Sequence, residues 1–110
     1  MSVCQALLVQ VTAIARQRGA AVASVTVEIG PLSGVDPAQL LLAFAMMRLG
    51  GAAATSVLLI ETSAVEVRCL ACGADSATLA NRLVCRACGC FRTRVIAGDE
   101  LRLRRVELEE

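Results

Sequence analysis

The spacing of apolar and polar positions divides the 110-residue chain into a short series of elements. Leu7, Leu8, Val11, Ile14 and Ala15 recur at helical spacing, with Gln10, Arg16, Gln17 and Arg18 on the other side. This predicts a helix over residues 5–18, closed by Gly19 as a C-cap. Val25, Val27 and Ile29 alternate with Ser24, Thr26 and Glu28, the period of a strand over 22–29 with one buried face. Gly30-Pro31 ends that strand and Ser33-Gly34 makes a turn. Asp36-Pro37-Ala38-Gln39 then reads as a helix start, with Asp36 as cap, Pro37 at the first helical position and Gln39 as a capping-box partner. This second helix is expected to run to about Leu49 and to stop at Gly50-Gly51. Its body, 40–47, is apolar almost all round. One face packs on the sheet, and the excess implies either a second buried or partner-contacting face or a tightly packed small core. Met46 and Met47 point in different directions on a helix, so they read as core packing rather than as a soft-metal site.

Residues 56–68 read as one long strand, with Val57, Leu58, Leu59 and Ile60 buried and Glu61, Glu66 and Arg68 exposed. Residues 74–84 and 91–96 flank or link the cysteine pairs. After a turn at Gly98-Asp99, Leu101-Arg102-Leu103-Arg104 alternates apolar with basic, which predicts a final strand through about Leu108. Glu107, Glu109 and Glu110 form an acidic tail. The order predicts an α+β fold: two helices on a small three-stranded sheet, with an inserted four-Cys zinc-ribbon-like domain. The expected boundaries are 1–67 plus 99–110 for the α/β part and 68–98 for the insertion.

Composition changes this picture in two ways. Phe44 and Phe91 are the only aromatics, so the core is built from aliphatic residues and Met. There is neither Lys nor His, and the net charge is +1. Without imidazole the chain has no ordinary general acid or base at neutral pH, and its carboxylates show no acid/base pairing, so an enzyme is not expected. A near-zero charge gives no whole-molecule field for nucleic acid. The longest uncharged run, 1–15, is interrupted by Ser2, Gln5, Gln10 and Thr12 and falls short of a membrane span. No basic start or cleavage site of a secretory signal is present, and a cytoplasmic, reducing location is expected.

Four of the six cysteines carry the clearest chemistry. Cys69-x2-Cys72 and Cys85-x2-Cys88 are separated by twelve residues, and each pair is followed by a Gly, at Gly73 and Gly89. Each pair sets two sulfurs on one tight turn whose Gly supplies left-handed backbone. Two such knuckles make four thiolates in a tetrahedron, the geometry of a closed structural zinc site. Some thirty residues cannot bury enough surface to fold alone, whereas structural zinc contributes on the order of 10 kcal/mol. Cys4 has no nearby partner and reads as a small buried hydrophobe. Cys90 is open to competing as a zinc ligand or to acting as a redox-sensitive thiol. The Arg residues around the knuckles (Arg68, Arg82, Arg86, Arg92 and Arg94) read as solvated groups that balance thiolate charge.

The stretch Ile29-Gly-Pro-Leu-Ser-Gly-Val-Asp-Pro37, followed by Leu40 and Ala43-Phe44, resembles the HypA/HybF family of nickel-insertion accessory proteins for hydrogenase maturation. The resemblance continues through Cys69-x2-Cys72, Cys85-x2-Cys88-Gly89 and Gly98-Asp-Glu-Leu101, and covers nearly the whole chain. It implies a structural Zn2+ held by Cys69, Cys72, Cys85 and Cys88, and a nickel-type domain of two helices and a three-stranded sheet. It also implies transient Ni2+ as cargo, with a HypB-type GTPase and the [NiFe]-hydrogenase large subunit as partners. The family binds nickel at a Met-His-Glu opening, and this chain lacks that opening. Three explanations are open: a start three residues upstream of Met1, a diverged nickel-free adaptor that docks on a hydrogenase subunit or GTPase, or weak binding by the Met1 amine, the Ser2 amide and Cys4. No nickel ligand is assigned.

Overall fold

The computed structural model describes residues 2–109. Met1 and Glu110 lie outside the described residues, and with them the Met1 amine and the last residue of the acidic tail. Helix α1 spans Val3–Arg18 and begins two residues before its expected start at Gln5. Its start is set by polar chemistry: Gln5 N donates to Ser2 Oγ at 3.1 Å, and Ser2 N donates to Gln5 Oε1 at 2.8 Å. This reciprocal capping box satisfies two backbone donors that the first turn leaves open. At its other end, Gly19 caps in the left-handed conformation, φ 62°.

Strand β1 spans Val22–Ile29, as its alternation predicts. Helix α2 covers Pro37–Met47; Asp36 caps it, its Oδ1 accepting from Ala38 N at 2.9 Å. The expected single strand over 56–68 is two strands, β2 Val57–Thr62 and β3 Val65–Cys69, broken at Ser63-Ala64. The remaining strands are β4 Asp75–Thr78, β5 Thr93–Ala97 and β6 Leu101–Leu108.

The chain packs as two units. The first comprises 1–28, 36–61 and 102–110. In it β1 lies at the centre of a sheet ordered β2-β1-β6, so the last strand returns to the first sheet as its pattern predicts. Cys4, Leu7, Val11 and Ala15 bury one stripe of α1, Leu40 and Phe44 anchor α2, and Val22, Val25 and Val27 fill the sheet side of the core. Cys4 is buried as expected, and burial pushes its thiol pKa up.

Two burial expectations fail in this unit. Val57 and Leu59 are exposed, with Leu58 buried between them. A continuous apolar run hides the period of two, and β2 is an edge strand with one face outward. Leu41, Leu42, Met46 and Met47 on α2 are also exposed, so the methionines are not core residues.

The second unit comprises 29–35 and 62–101. Its sheet is ordered β4-β3-β5, with β3 antiparallel to both neighbours. The alternation of β3 is regular: Val65, Val67 and Cys69 are buried, Glu66 and Arg68 exposed. β3 finds its hydrogen-bond partners among the strands around the knuckles and packs with them in this unit. Residues 29–35 also belong to this unit. Gly30 N donates to Glu100 O at 3.0 Å and Leu32 N to Gly98 O at 2.9 Å. At that crossing the backbones nearly touch: a Cβ on Gly30 would stand 2.2 Å from Gly98 O.

Candidate metal centre

Each cysteine pair is built by the same backbone device. In the first knuckle, Cys69 N donates to Ala74 O at 2.9 Å and Gly73 N to Cys69 O at 3.0 Å. In the second, Cys85 N donates to Cys90 O and Gly89 N to Cys85 O, both at 2.9 Å. The offsets along the chain are identical in the two turns. Gly73 and Gly89 both adopt φ 78°, the left-handed backbone an L side chain resists. Local sequence thus makes each knuckle, and the sheet brings the two together: β3 delivers Cys69, and the segment between β4 and β5 delivers Cys85 and Cys88.

The four sulfurs converge, all lying within 4.8 Å of one another. Cys69 Sγ is 3.6 Å from Cys88 Sγ, and Cys72 Sγ is 3.6 Å from Cys85 Sγ. A regular tetrahedron with metal–sulfur bonds of about 2.3 Å has edges of about 3.8 Å, so this donor set fits a four-coordinate thiophilic ion. Backbone N–H groups already point at the sulfurs. Ala71 N and Cys72 N lie 3.3 Å from Cys69 Sγ, and Cys88 N lies 3.5 Å from Cys85 Sγ. Cys69 and Cys85 are buried; Cys72 and Cys88 are exposed.

These contacts divide the thiols. The Cys88 backbone N–H holds Cys85 down at about 6, against the opposing effect of burial. The Cys72 N–H likewise lowers Cys69. For Cys88, the Cys90 N–H pulls downward, but the neighbouring sulfurs of Cys69 and Cys85 outweigh it and the pKa rises to about 12. Cys72 is raised in the same way: the sulfurs of Cys85 and Cys69 outweigh the Ala74 N–H. Without a cation, four adjacent sulfurs cannot all be anionic; a divalent ion removes that repulsion and displaces the protons.

All four sequence-predicted ligands are therefore together. Cys90 is not in the cluster; its Sγ accepts from Arg92 N at 3.4 Å. Arg68, the first of the nearby arginines, pairs with Asp75 at 2.9 Å across β3 and β4. The Gly30–Gly98 crossing went unrecognised as a contact. Its signal in the sequence was the Gly-Pro-Leu-Ser-Gly stretch, whose glycines read only as strand-end and turn residues.

Comparison with known proteins agrees along nearly the whole length. A family model described as hydrogenase/urease nickel incorporation, metallochaperone, hypA, matches residues 1–108. The hydrogenase maturation factor HypA of Nitrosospira multiformis is 45% identical over 108 residues, covering 97% of this chain and 94% of that protein. The factor of the same name from Aquifex aeolicus is 35% identical over 109 residues, covering 98% and 95%. Among solved structures, the solution structure of the Ni metallochaperone HypA from Helicobacter pylori superposes with a TM-score of 0.73 at 25% identity, covering 96% of this chain and 93% of that one.

Proposed function

This chain belongs to the HypA family, and from that membership we propose that it is a nickel metallochaperone-type accessory protein of hydrogenase maturation with a structural zinc. Cys69, Cys72, Cys85 and Cys88 hold the zinc. The observation that carries this assignment is the convergence of four sulfurs at tetrahedral spacing in a chain matched by the family over nearly all its length. Cys69, Cys72, Cys85 and Cys88 would together fill a four-coordinate zinc and tie the two knuckles, a structural rather than a catalytic role. Nickel is cargo, not a resident cofactor. The protein binds and hands over a metal without making or breaking covalent bonds of a substrate, and it is not an enzyme.

The partners on this reading are a HypB-type GTPase and the large subunit of a [NiFe]-hydrogenase. The cytoplasm is the proposed location; six free cysteines suit a reducing compartment. No helix among the described residues is long and apolar enough to cross a membrane. The α/β part carries the nickel-type role and the inserted part the zinc.

A second reading, a nickel-free adaptor on the same partners, is favoured by one fact: the chain contains no His at all. Ni(II) favours imidazole and amide nitrogen in square-planar sites, and the strongest such donor is missing. Calorimetric titration of Ni(II) separates the two. It is run on the zinc-loaded chain as given and on a version with Met-His-Glu placed ahead of Met1. Tight binding by the extended form makes the scaffold a competent nickel carrier. Binding by neither form establishes the adaptor. Zinc assignment is tested on Cys69→Ser and Cys85→Ser by elemental analysis, and full zinc retention in both variants refutes it.

A further inference from the structure

The second unit contains a cavity of about 650 Å³ on the outside of the thiol cluster. Thr78, Leu79, Arg82, Val84, Cys85 and Arg86 contribute to its wall, and no acidic residue lines it. Arg82 and Arg86 are exposed, and neither guanidinium has an ion-pair partner among the described residues. Nor are they spent on the sulfurs. The N–H groups that reach the clustered sulfurs are backbone ones, among them those of Ala71, Cys72 and Cys88.

The two arginines are held at their backbones. Arg86 N donates to Ser76 Oγ at 3.1 Å, and Arg82 N donates to Leu79 O at 3.0 Å. Both side chains are thus anchored at the base, Arg86 to β4 and Arg82 just beyond its end, and their charged ends are left over. Leu79 is 71% exposed and gives the cavity an apolar margin.

We propose that this cavity binds an acidic peptide segment of a protein partner. Its carboxylates lie between the Arg82 and Arg86 guanidiniums, and an apolar neighbour packs on Leu79 and Val84. Planar guanidinium forks match carboxylates in bidentate geometry. The volume and the apolar margin select a peptide over a free oxyanion, which would fill only a fraction of the space. This site is independent of nickel and of the identity of the enzyme served.

The test uses the full-length, zinc-loaded protein and three probes: a blocked, fluorescein-labelled hexapeptide of alternating Leu and Glu, its Leu and Gln counterpart, and inorganic phosphate. Anisotropy measures peptide binding, and amide chemical shifts locate all three probes. The Glu peptide is expected to bind and to shift the amides of residues 77–79 and 82–86, and the Gln peptide to bind at least about tenfold more weakly. R82Q/R86Q, which keeps its zinc because both side chains are exposed, loses about tenfold or more in Glu-peptide affinity. R105Q in the first unit loses none. Unchanged affinity in R82Q/R86Q overturns the proposal, as does equal binding of the Gln peptide or a shift pattern elsewhere. Failure of the Glu peptide to bind also overturns it. If phosphate alone then shifts the same amides, the cavity is a free-anion site and not a peptide site.

Discussion

Gly30→Ala tests the crossing that holds residues 29–35 to the end of β5. The added methyl would stand 2.2 Å from Gly98 O, 2.3 Å from Gly98 C and 2.8 Å from Gly98 Cα. All three are backbone atoms, so no side chain can swing aside. Reaching ordinary contact at 3.4 Å requires a displacement of about 1.2 Å. Both hydrogen bonds at the crossing, 3.0 Å from Gly30 N to Glu100 O and 2.9 Å from Leu32 N to Gly98 O, then stretch to about 4 Å. Each is worth about 1 kcal/mol, and overpacking of a tight site costs about 1–3 kcal/mol. The expected loss is about 3–5 kcal/mol, roughly 140- to 4,000-fold in the folding equilibrium of the second unit. The assay is urea unfolding of the zinc-loaded protein, with amide exchange read at residue 30 and Leu32. Gly51→Ala is the control, since its nearest neighbour is 3.8 Å away and its φ is ordinary. A Gly30→Ala variant within about 0.5 kcal/mol of the parent, with both amides still protected, refutes the reasoning.

Four further outcomes follow from the same geometry. Cys85→Ser should remove the zinc and unfold the second unit by about 10 kcal/mol of lost metal linkage, while α1 and α2 keep their helical circular dichroism; loss of all helix would contradict this. Zinc binding near neutral pH should release protons, because Cys88, at about 12, and Cys72, also raised, start protonated while Cys85, at about 6, is largely ionised; the affinity should fall as pH falls, read by calorimetry in buffers of different ionisation enthalpy. The raised pKa of Cys4 makes its neutral form part of the fold. Its contribution is fully present below the unfolded thiol pKa of about 8.5 and is lost as pH rises through the folded value, so Cys4→Ala should flatten the alkaline fall in stability. Ser2→Ala breaks the capping box and should cost about 1 kcal/mol in α1, measured by thermal unfolding.

Much of this protein is local in origin and so was legible in its sequence. The knuckles depend on contacts spanning five residues, and their Cys and Gly positions name them. β1 and β6 declare themselves by alternation of apolar and polar residues, although β6 is half-buried on its apolar positions and Thr26, on the polar side of β1, is buried as well. The start of α2 is written in Asp36-Pro37. The capping box at Ser2 was equally local; the apolar pattern, which begins later, drew attention away from it.

Other features needed the tertiary structure, because they depend on partners distant in the chain. Unbroken apolar runs such as 57–60 and 40–47 carry no signal for which side is covered; the edge position of β2 and the small contact face of α2 decided that. Whether β3 belonged with β2 or with the knuckles depended on hydrogen bonds to β4 and β5, more than six residues away along the chain. Two glycines 68 positions apart, Gly30 and Gly98, met only when the chain folded. Arg82 and Arg86 were visible as charges, but only the folded loop showed that they line a cavity and pair with nothing in it. Sequence determines what short range chemistry can do alone, and packing decides which surfaces and charges are left over.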